Sequence, residues 1–177
     1  MYIRSQLLKE HSRANAVAIA DFIGADPGRY ADLMHYMLDG EHRMAQRASY
    51  SASLIGESHP QLIGPYLRRL LDVLDQPVHE AVHRNSIRIM QYCDLPEPLH
   101  GKIIGTMFTL IADPQRSIAQ RAFAITVALR LVHLYPDLIP EFRLLLEDAL
   151  RVDPGPAIRS RARKALAWLG EHAHQRG

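Results

Sequence analysis

Apolar residues recur at spacings of three and four along almost the whole chain, and prolines and glycines interrupt the pattern at regular intervals. This predicts helices at about 4–23, 28–39, 41–56, 60–75, 77–93, 97–112, 115–134, 137–150 and 156–172. No stretch of useful length alternates with period two. Short β-branched runs such as Lys102-Ile103-Ile104 lie inside helical patterns, so the expected class is all-α with about nine helices. Asp-Pro pairs at 26–27, 113–114 and 153–154 place an N-cap acceptor before a residue suited to the first helical turn. Connections this short predict that neighbouring helices run antiparallel.

The chain also resembles itself. Four segments share an apolar lead residue, a polar donor three positions on and then a small residue. They are Met44-Ala45-Gln46-Arg47-Ala48, Val82-His83-Arg84-Asn85-Ser86, Ile118-Ala119-Gln120-Arg121-Ala122 and Ile158-Arg159-Ser160-Arg161-Ala162. Their lead residues are 38, 36 and 40 positions apart. Asp39, Asp75, Asp113 and Asp153 each stand five or seven residues ahead of a lead residue. A second motif, His59-Pro60-Gln61-Leu62-Ile63, returns 76 residues later as Tyr135-Pro136-Asp137-Leu138-Ile139. A period near 38 residues is that of a helix pair which cannot bury its own apolar face and so stacks on the next.

These motifs resemble the HEAT family of helical repeats, within the wider armadillo-like class. The closest agreement is in the last repeat: Asp153-Pro154, Ile158-Arg159, Ala162, Ala165-Leu166 and Leu169-Gly170. The first three repeats have Ala45, His83 and Ala119 where that one has Arg159. The resemblance implies an α–α superhelix: one domain over 1–177, with residues 1–24 as an N-terminal cap helix and about 27–172 as four helix pairs. Ala48, Ser86, Ala122 and Ala162 are expected to let helices approach closely. Leu67, Leu71, Ile89, Leu129 and Leu166 are expected to fill the interior. HEAT folds host scaffolds, receptors and a few enzymes, so the resemblance speaks to architecture more than to activity.

Composition narrows the chemistry. Cys93 is the only cysteine, which excludes an intrachain disulfide and a CxxC site, and its apolar setting suits a buried structural thiol. The longest apolar run, 122–129 apart from Thr126, is too short to span a bilayer. The N-terminal stretch lacks the continuous hydrophobic core of a signal peptide, so the expected location is the cytoplasm. His79 and His83 are spaced i, i+4, a legitimate two-ligand arrangement, but no third ligand is evident on that helix. HEAT-like iron hydroxylases carry a His-Glu dipeptide in each repeat, and here His79-Glu80 stands alone. HEAT-like DNA glycosylases use an acid and aromatics on the concave face, whereas Trp168 is the single tryptophan and sits at a packing position. No Gly-rich phosphate loop is present, since Gly101 and Gly105 are isolated within a helical pattern. No cofactor or metal is expected, and the chain reads as non-catalytic.

Charge is the remaining signal. Net charge is only +2, yet it divides unevenly. In HEAT folds the second helix of each pair lines the concave face, and here the second helices carry 11 basic and 4 acidic residues. The first helices carry 6 basic and 9 acidic. The expected function is therefore a protein-interaction module whose concave face binds an acidic partner through Arg47, Arg84, Arg88, Arg116, Arg121, Arg159, Arg161, Arg163 and Lys164. A competing structural role exists for Arg47, Arg121 and Arg161, which can form an internal ladder with the loop aspartates. Nucleic acid is the alternative partner, weakened by the scarcity of lysine and of interleaved aromatics.

Overall fold

In the computed structural model, which describes residues 2–151 and 155–173, ten α-helices and no strand occur among the described residues. They are α1 (Tyr2–Lys9), α2 (Arg13–Ile23), α3 (Pro27–Asp39), α4 (His42–Ser58), α5 (Leu67–Asp72), α6 (Glu80–Met90), α7 (His100–Ala112), α8 (Ile118–Val132), α9 (Ile139–Arg151) and α10 (Gly155–Ala173). The backbone packs as two compact units, Met1–Leu95 and Pro96–Gly177.

In the first unit α4 is central, packing on α3, on α6 and on α2, with α1 against both α2 and α4. The helix expected over 4–23 is in fact two. Ser12 caps α2 by accepting from the Asn15 amide at 3.1 Å. The buried Asn15 side chain donates to the carbonyls of Gln6 and Glu10. Side chains that bond nearby backbone groups compete with helical continuity, and here they turn the chain back on itself. Gly24 ends α2 with a φ of +51°, in the left-handed region that favours glycine.

The helix expected over 60–75 is also interrupted. Pro60 opens one short 3₁₀ turn and Pro65 sits second in the next, which leaves α5 only six residues. α6 begins at Glu80 and not at 77, because His79 is its N-cap. Gly56 lets α4 and α6 approach closely: a Cβ there would stand 3.2 Å from Ile89 and 3.3 Å from Ile63. Tyr30, Leu33, Met34, Ile55, Leu67 and Leu70 fill the core, each fully buried or nearly so. Burial on this scale contributes about 1.5–3 kcal/mol per large apolar side chain.

In the second unit α8 packs on α7 and α10, and α9 packs on α10 and α7. Phe108 and Phe142 stack at 5.7 Å, with Ile103, Met107 and Leu146 buried in the same unit. Short 3₁₀ turns precede α7 and α9. Ser117, not Asp113, caps α8, and the Asp113 carboxylate accepts instead from the Gln115 amide at 2.9 Å. The expected cap at 153–154 lies outside the described residues.

The small motif residues Ala48, Ser86, Ala122 and Ala162 are all buried. So are the lead residues Val82 and Ile158, but Ile118 is half exposed because it opens α8. Among the interior positions, Leu67, Leu71 and Ile89 are buried, whereas Leu129 and Leu166 are only partly so. Cys93 is buried.

Candidate functional site

The nine basic residues separate into three groups once their partners are known. Arg47, Arg121 and Arg161 hold the fold together, by bonds other than the aspartate ladder. Arg47 is buried, and its guanidinium donates to the Leu7 carbonyl, tying α4 to α1. Arg121 donates through Nε to the Ile111 carbonyl at 3.0 Å, and burial lowers its pKa against a smaller opposing effect of Asp113. Arg161 donates to the Thr126 hydroxyl at 3.1 Å and lies over the Phe123 ring. Asn85, at the same motif position in the remaining repeat, is buried and donates to Ser49 Oγ. Position four of the repeat is thus a donor aimed at a neighbouring element. A short side chain suffices where Ser49 stands opposite. Arg47 is removed from the partner surface by its burial.

The aspartates go elsewhere. Asp39 pairs with Arg69 and His35, and the Arg69 hydrogen bond is the main reason its carboxyl stays below the usual range. Asp113 pairs with Arg116 at 3.4 Å, which makes Arg116 a local brace of the loop before α8. Asp153 lies outside the described residues.

Arg84 and Arg88, on α6, are exposed in part and already paired. Arg84 meets Glu80 one turn earlier at 3.1 Å. Arg88 reaches Glu57 at 3.1 Å and Ser53 at 3.5 Å, linking α6 to α4. The third group is on α10, where Arg159, Arg163 and Lys164 are exposed. Ile158, Ala162, Ala165 and Leu169 form the buried stripe of that helix, and the basic residues lie outside it. Among the described residues no carboxylate pairs with Arg163 or Lys164.

The histidine pair does not converge on a metal. His79 Nδ1 accepts from the Ala81 amide, while His83 Nε2 donates to the carbonyls of Val73 and Gln76. Each ring is therefore engaged in closing a helix end. Among the described residues no group of three or more His, Cys, Asp or Glu is placed to hold a metal ion. Trp168 lies against His133, with ring centroids 3.9 Å apart, in the packing of α10 on α8.

A polar cleft of about 290 Å³ opens in the first unit beside α4 and α6. Gln46, Tyr50, Asn85 and Arg84 line it, with His11 and His79. His42 stands 4.7 Å from His79, ring to ring. Desolvation lowers the His79 pKa, and the nearby charges of His42, Arg84 and His11 lower it further against the opposing effect of Glu80. Sequence reasoning missed His11 and His42. The available signal was positional: His11 precedes the cap of α2, His42 opens α4 and His79 caps α6.

Successive helix pairs, joined through a motif whose donor and small residue face neighbouring elements, define an α–α repeat protein. A family model of the HEAT repeat domain matches residues 3–168, and the chain belongs to that family. The match begins within α1, so the N-terminal helices fall inside it. Comparisons with curated proteins and with solved structures find no match. HEAT repeats generally mediate protein interactions. No helix among the described residues is long and apolar enough to cross a membrane.

Proposed function

We propose that this protein is a non-catalytic, cytoplasmic interaction module that binds an acidic segment of a partner protein along α10. The reading rests on one observation: Arg163 and Lys164 are exposed beside Arg159, with no described carboxylate to neutralise the first two. Residues 159 and 163 are one turn apart and Lys164 follows directly on Arg163, so all three cations stand outside the buried stripe of α10. An acidic segment meeting that face gains Coulombic attraction and faster encounter without disturbing the buried stripe. Of the second-helix arginines of the first unit, Arg47 is buried and Arg84 and Arg88 are already paired, which leaves Arg43 as a single exposed cation and not a cluster.

The test is an affinity pull-down from native lysate with wild-type protein and an Arg163→Glu/Lys164→Glu variant, each split into nuclease-treated and untreated halves. A defined protein that survives nuclease and is lost with the variant, while helicity by circular dichroism is unchanged, supports the reading. Retention that ignores the charge reversal sinks it. Loss of all captured material on nuclease treatment moves the function to nucleic-acid binding, whose affinity then falls steeply with salt.

A further inference from the structure

An open cleft of about 450 Å³ lies in the second unit, between the start of α7 and the turn that joins α8 to α9. Its walls are apolar: Ile104 and Leu138, with the rings of His100 and Tyr135. His100 Nδ1 and the Tyr135 hydroxyl are hydrogen-bonded at 2.8 Å, and the two rings meet edge to face. That bond fixes one wall, since His100 is itself buried. Tyr135 remains 38% exposed, so part of this apolar wall stays in water.

Gly101 completes the lining, and packing does not demand it. A Cβ added there meets no atom within 4 Å, and the same holds for Gly105 one turn later. Glycine is a poorer helix former than alanine, so α7 gives up stability at Gly101 while the recess stays open. Among the described residues, the charged ones lining the cleft are Glu97 and Asp137, both exposed and both acidic, and no Lys or Arg lines it.

We infer that this cleft docks a segment of a partner protein that carries an apolar side chain next to a Lys or Arg. The apolar side chain fills the recess over Gly101, and the cation pairs with Glu97 and Asp137. Its charge preference is opposite to that of α10, and the inference stands independently of the function proposed for that helix.

The experiment uses the full chain and two synthetic probes of equal apolar content, acetyl-Arg-Leu-Phe-Lys-amide and acetyl-Glu-Leu-Phe-Glu-amide. Binding is read from backbone amide shifts at 97, 99–104, 135, 137 and 138 in two-dimensional NMR titrations. The basic peptide is expected to shift these amides saturably, with an affinity at least about tenfold above the acidic one at low salt. Gly101→Leu should fill the recess and abolish the shifts while Tm holds or rises. Glu97→Gln/Asp137→Asn should erase the preference between peptides, and it carries the test if the leucine variant fails to fold. Equal shifts from both peptides, no shifts at millimolar concentration, or shifts that persist in Gly101→Leu overturn the inference. Shifts that depend on protein concentration alone, with sedimentation showing association, assign the cleft to a second copy of the chain and also overturn it.

Discussion

The two units use arginine differently. In the first, three of the four second-helix arginines are engaged: Arg47 on a buried carbonyl, Arg84 on Glu80, and Arg88 on Glu57 and Ser53, while Arg43 is exposed with no described carboxylate partner. In the second unit Arg121 and Arg161 are equally engaged, but α10 also carries exposed Arg163 and Lys164 with no described carboxylate partner. A count of charge along the second helices treats all these residues alike. What separates them is the partner each meets, and that depends on which neighbouring element faces it. Among the second helices, two adjacent cations on α10 stand without a described carboxylate partner, whereas on α4 and α6 together Arg43 alone does.

The contrast breaks first at Arg47. Replacing it with alanine removes a buried side chain and strips the Leu7 carbonyl of its donor, so α1 loses a tie to α4. We expect a loss of about 2–3 kcal/mol in unfolding free energy. That corresponds to a fall in Tm of roughly 5–10 °C for a chain of this size. If thermal denaturation of Arg47→Ala matches wild type within a degree, Arg47 is not structural and returns to the candidate surface.

A smaller effect is expected at the N-terminus of α6. His79 caps the helix with an unprotonated Nδ1, and protonation of that atom removes the acceptor. Removing such a cap costs about 1 kcal/mol. Folding lowers the His79 pKa from its ordinary value of 6.5, so the unfolded chain binds the proton more readily. The cap's contribution is therefore complete above pH 6.5 and is lost as pH falls through that value toward the lower folded one. Urea midpoints between pH 7.5 and 5 should decline more steeply in wild type than in His79→Asn, which keeps a capping oxygen and does not titrate. His11, His42, Arg84 and Glu80 surround the ring and are unchanged in that variant, so parallel pH profiles would refute the assignment to His79.

Next in size is the tie between α6 and α4. The Arg88 side chain is 24% exposed and that of Glu57 48%, so water screens the pair only in part. A double-mutant cycle with Arg88→Met and Glu57→Gln should give a coupling of about 0.5–1 kcal/mol. A coupling near zero would leave Arg88 available to a partner and blur the difference between the units.

The repeat period, the helical class and the buried small residues were legible in the sequence because each follows from spacing alone. The breaks at 10–12 and around Pro65 were also encoded, in Ser12 with Asn15 and in the Gly64-Pro65 pair, but local side-chain competition overrode an otherwise helical pattern. The partners of Arg47 and Arg88 could not be read from spacing. Leu7 lies 40 residues from Arg47, and Glu57 lies 31 from Arg88, so only the packing of helix on helix decides which acceptor arrives. The cleft over Gly101 was half visible. Isolated glycines in an apolar helix are a sequence signal, whereas the facing Tyr135 and Leu138 come from the distant turn before α9.

The smallest stability effect is the sharpest test of the comparison. Arg163→Ala and Lys164→Ala should each change unfolding free energy by no more than about 0.5 kcal/mol, since both side chains are exposed and touch no described carboxylate. Alanine is also the better helix former, which offsets any packing lost from the aliphatic stems. Chemical denaturation of the two variants beside Arg47→Ala measures the difference directly. A loss above 1 kcal/mol at either α10 position would mean that its charge is used within the fold. α10 would then resemble the second helices of the first unit, and the basic surface would have to be sought elsewhere on the chain.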